Sequence, residues 1–232
     1  MSDQSVRALV FDLDGTLADT APELTDALND SFSALGLPLA GEKLVASWVG
    51  NGAKELFITA LAQTRGLGKE EILADPAYPA QAEQFQHFYH QRCGTRASLY
   101  PGGRELLDEL AQTGIGCAML TNKERLFTNK VLEHLGITDC FEPLVCGDTL
   151  ATKKPDPDGL LYCAKQLGAT PEETVFVGDS WVDVATARAA GMPVWACTYG
   201  YNRGEPIANE HPDRLIDNLG QIPALLARTA SA

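Results

Sequence analysis

Five short apolar runs, at residues 8–11, 117–120, 144–146, 175–177 and 194–196, constrain the fold of this chain more than any other feature. Each is too short for a helix and carries too few polar positions for a strand with one wet face. Each therefore reads as a strand buried on both sides, which is the habit of parallel sheets. Between the later runs lie stretches with helical periodicity, at residues 104–112, 126–135, 157–167 and 182–190. Each closes near a glycine (Gly114, Gly136, Gly168 and Gly191), as helix C termini commonly do. Strand and helix in alternation at these lengths build a doubly wound parallel sheet, a Rossmann-like α/β core.

The interval between the first run and the second is far too long for one crossover connection. It reads as several helices with no strand-like run of its own. A helix starting after Pro22 would align Leu24, Leu28, Phe32 and Leu35 on one face before Gly36 ends it, and residues 52–65 and 81–92 read as two more. The expected organisation is thus a catalytic core from residues 1–17 and 93–232, with a helical cap inserted at 18–92.

Charge narrows the partners. Lys and Arg number 18 against 31 Asp and Glu, a formal balance of −13. Nucleic acid and anionic membranes both require basic patches, so neither is an expected partner. No apolar run nears the roughly 20 residues of a membrane span, and the start lacks a charged-then-apolar layout, so a cytoplasmic protein is expected, as monomer or homodimer. The six cysteines are scattered without a CxxC pair. They read as reduced and mostly buried.

Polar residues gather where the strands end. Asp12-Leu13-Asp14-Gly15-Thr16 follows the first run, so two carboxylates stand two apart where a glycine lets the chain turn. If the backbone bends there, one carboxylate can attack phosphorus while the other exchanges a proton with the leaving oxygen. An Asx-rich capping turn would use the same residues. Thr121 and Asn122 follow the second run, and either serve as turn and N-cap residues or hydrogen-bond phosphate oxygens without adding charge. Lys154 stands just before Pro155, where the backbone is restricted, and a fixed ammonium there can neutralise transferring phosphoryl charge. Asp179 and Asp183 follow the fourth run with the spacing of one helical face. Either Asp179 or Ser180 caps that helix while Asp183 favours its dipole, or the acidic groups suit a hard cation: Mg²⁺ commonly takes one or two carboxylates together with phosphate oxygen, and Asp12 with Asp179 would supply that pair.

These four signals fall at the carboxyl ends of successive strands or in the loops beyond them. Unrelated turn chemistry would not arrange that. On these motifs the chain resembles the haloacid dehalogenase superfamily of phosphohydrolases. The resemblance implies that Asp12 is nucleophile and metal ligand, and that Asp14 is general acid and base and a metal ligand through its carbonyl. It further implies that Thr121 and Asn122 bind phosphate, that Lys154 stabilises charge, and that Asp179 binds Mg²⁺ with Asp183 supporting it. An aspartate at Asp14 favours phosphate over carbon–halogen chemistry, which needs no such acid.

Three further stretches, Trp48-Val49-Gly50-Asn51-Gly52-Ala53, Leu120-Thr121-Asn122-Lys123 and Thr198-Tyr199-Gly200-Tyr201-Asn202, resemble the phosphoglycolate phosphatase family. The implied reaction is Mg²⁺-dependent hydrolysis of a small phosphorylated metabolite, 2-phosphoglycolate, through an aspartyl-phosphate. A glycolate carboxylate needs a partner beyond the phosphate site. The loop Gly50, Asn51 and Gly52 is the expected source, with Lys54 and Lys123 as candidate cations. One departure from the family pattern is Trp181-Val182, where a basic or polar pair is common. Other small organic or sugar phosphates remain alternative substrates. A mutase of the β-phosphoglucomutase type ranks lower, since residues 17–31 lack the histidine its caps usually carry. A non-catalytic binding module ranks lowest, since Asp12 and Asp14 are both present.

Overall fold

The computed structural model describes residues 6–229. Eight strands and ten helices follow one another as β1 (Ala8–Phe11), β2 (Ala18–Asp19), α1 (Ala21–Ala34), α2 (Glu42–Ala46), α3 (Ala53–Arg65), α4 (Lys69–Ala74), α5 (Tyr78–Arg92), β3 (Ser98–Leu99), α6 (Gly103–Leu110), β4 (Gly116–Leu120), α7 (Arg125–Leu135), β5 (Leu144–Val145), α8 (Asp158–Gln166), β6 (Thr174–Gly178), α9 (Trp181–Ala190), β7 (Val194–Cys197), β8 (Arg214–Ile216) and α10 (Ile222–Thr229).

Six of the strands form one parallel sheet in the order β5-β4-β1-β6-β7-β8. The doubly wound α/β core expected from the apolar runs is present. The reason lies in the alternation within each run. Leu9 and Phe11 of β1 face one apolar cluster together with Val175 and Val177 of β6. Val10 and Phe176 point the other way, into a second cluster with Leu120, Leu160 and Val194. A strand so placed meets helices on both faces, which is why its sequence is apolar throughout.

The chain leaves β1, builds β4 and β5 to one side and β6, β7 and β8 to the other. The carboxyl edge around β1 is therefore the crevice where open α/β sheets bind ligands. The insert covers that edge. Its helices α1, α3 and α5 carry Leu24, Leu28, Phe57, Leu61 and Phe85 into the same cluster as Leu9 and Phe11, so the apolar packing runs on without a break. Arg92 makes a bidentate contact with Asp30, 2.7 Å at Nε, which ties α5 to α1.

Some elements were not legible. The insert does carry a strand: Ala18–Asp19 pairs antiparallel with Ser98–Leu99 where the chain enters and leaves it. Two residues are too few to show alternation. Helices α2 and α4 have five and six residues, less than two turns, and so escape a periodicity test. The edge strand β8 buries Ile216 alone of its three residues. Helix α5 begins at Tyr78, three residues earlier than expected, because Pro79 sits in its first turn, where a missing N–H costs nothing. Among the described residues no helix is long and apolar enough to cross a membrane. All six cysteines are free, and Cys93, Cys146, Cys163 and Cys197 are buried.

Candidate active site

Asp12 leaves β1 with its N–H donating to the Val177 carbonyl at 2.9 Å, one register step beyond the last β1–β6 pair. The chain then folds back on itself, with the amides of Leu17 and Ala18 both donating to the Leu13 carbonyl. Gly15 makes this turn at φ +87°, and a Cβ there would collide with the Asp179 carboxylate. The bend lets Asp12 and Asp14 line one cavity of about 360 Å³, open mouth included, together with Thr121, Asn122 and Lys123 from the loop after β4. The cavity roof comes from the insert: Leu24, Val49, Gly50, Gly52, Ala53, Leu56 and Tyr89.

Two buried lysines meet the carboxylates. Lys154 lies 2.9 Å from Asp12 Oδ1 and 2.6 Å from Asp183 Oδ1. Burial alone would lower its pKa, but the two carboxylates outweigh burial and raise it, so it stays an ammonium. Lys123 Nζ donates to Asp14 Oδ1 at 2.8 Å and lies 5.5 Å from the centre of the Tyr89 ring. Burial again works against its charge, and Asp14, with smaller contributions from Tyr89 and Cys93, outweighs it. Lys123 is 3% exposed, so it is no solvated surface lysine.

Asn122 does something its sequence position did not announce. Its amide nitrogen donates to the carbonyls of Gly50 at 3.1 Å and Lys154 at 3.0 Å, and its oxygen accepts from the Lys154 N–H at 3.0 Å. Both amide hydrogens are engaged with backbone. The side chain clasps the Lys154 loop to the insert, so it is not free to hydrogen-bond a phosphate directly. The Thr121 hydroxyl accepts from the Lys123 N–H at 3.2 Å and lines the cavity.

Asp179 and Asp183 divide the work at the start of α9. Asp183 Oδ2 accepts from the Ser180 hydroxyl at 2.7 Å and from the amides of Ser180 and Asp179 at 3.0 and 3.2 Å. With its other oxygen on Lys154, Asp183 is fully engaged as a capping and positioning group. Asp179 accepts from Thr16 Oγ1 at 2.9 Å and from the Tyr201 N–H at 2.7 Å, one on each oxygen. Trp181, the departure from the family pattern, donates its N–H to Asn202 Oδ1 at 2.8 Å and packs its ring under Arg203. The 199–203 loop thereby closes over Asp179.

Carboxyl oxygens of Asp12, Asp179 and Asp183 all lie within 4.8 Å of one another, in a buried setting that can hold a metal ion. Burial chiefly, then the Asp183 and Asp14 charges, outweigh the Lys154 charge and push the Asp12 carboxyl up to about 7. Asp179 is raised as well, by burial, Asp183 and Asp12. Among the described residues the four carboxyl groups of Asp12, Asp14, Asp179 and Asp183 share two ammoniums, those of Lys123 and Lys154. Carboxyl groups thus outnumber cations, and the donors are all oxygen. A divalent hard cation fits this donor set, and it would relieve the crowding that raises Asp12 and Asp179.

The remaining expected residues separate. Gly50 and Gly52 line the cavity, whereas Asn51 and Lys54 are exposed and outside its lining. Gly52 takes φ +89°, and a Cβ there would lie 3.2 Å from the Asn122 carbonyl, so it presses on the core before it meets a ligand. Thr20 and Tyr89 were not singled out from the sequence, and Thr16 and Tyr201 stood inside quoted motifs without a role of their own. Thr20 Oγ1 donates to Asp14 Oδ1 at 2.7 Å, and Tyr201 accepts through its hydroxyl from the amides of Thr20 and Ala21 at 2.9 and 3.0 Å. For Thr20 the available signal was its position four residues beyond the first motif.

A family model for haloacid dehalogenase-like hydrolases matches residues 6–191. The chain belongs to that family. Among curated proteins it is 41% identical to phosphoglycolate phosphatase 1 of Pseudomonas aeruginosa, over 92% of this chain and 77% of that one. It is 40% identical to phosphoglycolate phosphatase of Nitrosococcus oceani, over 96% and 97% of the two chains. Among solved structures, a predicted phosphoglycolate phosphatase from Haemophilus somnus superposes with a TM-score of 0.87 at 31% identity, covering 96% of this chain and 98% of that one.

Proposed function

We propose that this hydrolase cleaves 2-phosphoglycolate to glycolate and inorganic phosphate, through an aspartyl-phosphate on Asp12 and with Mg²⁺ as its metal. The observation that carries the reading is the pairing of two carboxylates with two different lysines on one cavity: Asp12 with Lys154, and Asp14 with Lys123. Each carboxylate is thus given its own electrostatic setting, which is how one site separates a nucleophile from an acid. The names of the relatives supply the substrate.

In this reading Asp12, Asp179 and the Asp14 carbonyl would hold the Mg²⁺, whose charge would screen an anionic nucleophile from an anionic substrate. Asp12 attacks phosphorus in line. Lys154 stands beside Asp12, kept there by Asp183 and by the Asn122 clasp, and neutralises charge on the transferring group. The Thr121 hydroxyl takes a phosphate oxygen. Asp14 gives its proton to the departing glycolate oxygen and then takes one from the water that hydrolyses the aspartyl-phosphate. Residues 18–92 act as a cap, whose apolar roof of Leu24, Val49 and Leu56 excludes bulk water during transfer.

The test is release of inorganic phosphate across a panel of small phosphate esters, with and without Mg²⁺. Phosphoglycolate should have the highest kcat/KM. A sugar phosphate hydrolysed faster would replace the substrate assignment, and absence of release from every ester would remove the reading.

A further inference from the structure

The cavity must pair the carboxylate of its substrate with something, and its lining offers few choices. Apart from Asp12, Asp14, Thr121 and Asn122, the walls are glycine backbone, the apolar side chains of Leu24, Val49, Ala53 and Leu56, the Tyr89 ring, and Lys123. Lys154 already faces two carboxylates. The Lys123 ammonium, with three hydrogens, has one carboxylate partner among the described residues, Asp14 Oδ1. Lys54 is exposed and does not line the cavity. A carboxylate set among Leu24, Val49 and Leu56 without a partner would cost several kcal/mol in lost hydration.

We infer that Lys123 is the specificity residue of this site, reading a carboxylate carried on the carbon next to the ester oxygen. The inference rests on the proposed role of Asp14 as the acid for the leaving oxygen. From that role the geometry follows. An ester oxygen receiving a proton from Asp14 lies about 2.8 Å from its carboxyl group, and Lys123 Nζ lies 2.8 Å from the same group. In a phosphorylated α-hydroxy acid a carboxylate oxygen sits roughly 3 Å from the ester oxygen, within hydrogen-bond reach of that ammonium. Four heavy atoms then form a closed ring of contacts: Asp14 oxygen, ester oxygen, carboxylate oxygen, Lys123 nitrogen.

One methylene more between the ester and the carboxylate breaks the ring. The substrate class is therefore phosphate esters of α-hydroxy carboxylic acids, with β-hydroxy acids discriminated against. The backbone around Lys123 is fixed for this task, its carbonyl accepting from the Gly147 amide at 2.8 Å and its own amide donating to Thr121. The Tyr89 ring, 5.5 Å from the ammonium at its centre, adds to the stabilisation of the cation.

The experiment measures kcat/KM in the Mg²⁺-loaded protein for three substrates, 2-phosphoglycolate, 3-phosphooxypropionate and ethyl phosphate, in wild type, Lys123→Met and Lys123→Arg. Wild type should favour phosphoglycolate over both others. Lys123→Met should reduce the phosphoglycolate-to-ethyl-phosphate ratio about ten- to hundredfold, the size of one lost charge-assisted hydrogen bond, and Lys123→Arg should retain much of it. If Lys123 merely supports Asp14, all three substrates fall together and the ratio is unchanged, which overturns this inference while leaving the phosphoglycolate reading in place. A wild type without preference for phosphoglycolate overturns both. Should Lys123→Met fail to fold, glycolate inhibition of the Lys123→Gln variant decides: weakened glycolate inhibition with intact phosphate inhibition supports Lys123, and unchanged glycolate inhibition overturns it.

Discussion

Replacing Asp183 by asparagine tests the most connected group in the site. Its two oxygens hold opposite sides: Oδ1 takes the Lys154 ammonium at 2.6 Å, and Oδ2 takes three donors from the start of α9. Asparagine keeps the shape but has one oxygen. If that oxygen stays on Ser180 and Asp179, an NH₂ group faces the ammonium, and two donors confront each other in a buried place. Removing one partner of a buried ion pair costs about 3–5 kcal/mol, and Asp12 remains as a second partner for Lys154, which argues for the lower end. At roughly 2–4 °C per kcal/mol for a chain of this size, Tm should fall by about 6–12 °C. Turnover should fall about ten- to hundredfold, because Lys154 is displaced from the position where it meets transferring charge. Thermal unfolding followed by circular dichroism and steady-state phosphate release give the two numbers. A Ser180→Ala control removes one neutral donor and should cost only about 1 kcal/mol. A Tm within 2 °C of wild type, with kcat unchanged, would show that Asp12 alone holds Lys154 and that Asp183 is merely a helix cap.

Three other outcomes follow from the same geometry. Asp12→Asn should abolish turnover while preserving the fold, since the amide cannot form an acyl phosphate, and residual activity in the purified variant would refute the nucleophile. In the ion-free protein Asp12 is raised from 3.8 to about 7, so across that window the folded state binds more protons than the unfolded one and stability falls as pH rises. Mg²⁺ takes the place of those protons, so its increase in Tm should be larger at pH 7.5 than at pH 5, and equal shifts would argue against binding at Asp12 and Asp179. Gly52→Ala should cost about 1–3 kcal/mol, because φ +89° with ψ 162° is a conformation kept almost entirely to glycine, and should slow phosphoglycolate and p-nitrophenyl phosphate alike, because the new Cβ presses on the Asn122 carbonyl; an effect on phosphoglycolate alone would show that this loop reads the leaving group directly.

The core was legible because its strands are buried on both faces, which leaves an apolar run such as Ala8–Phe11 that no amphipathic element imitates. The site was legible where a residue type has few uses at a strand end, as with Asp12, Asp14 and Asp179. Pairings were harder to see. Lys54 and Lys123 look alike in sequence, yet one is exposed and the other is buried against Asp14, because burial of a lysine depends on a partner 109 residues away. Asn122 looked like a phosphate ligand, and its engagement with Gly50 and Lys154 depends on loops that meet only once the sheet and insert are assembled. The short pair β2–β3 and helices α2 and α4 were missed because they are defined by hydrogen bonds to distant residues or by less than two turns, which leaves no periodicity to detect.

Tyr201 is anchored at both ends of one residue. Its amide rests on the Asp179 carboxylate, while its hydroxyl accepts from Thr20 and Ala21 and donates to Asp19, at the point where the chain enters the helical insert. A tyrosine ring does not stretch or bend, so the spacing between that carboxylate and the first turn of α1 is set by a rigid strut. The entry of the chain into the helices that roof the cavity is thereby held at the reach of one tyrosine side chain from Asp179, so the roof and the carboxylate cluster share a single anchor.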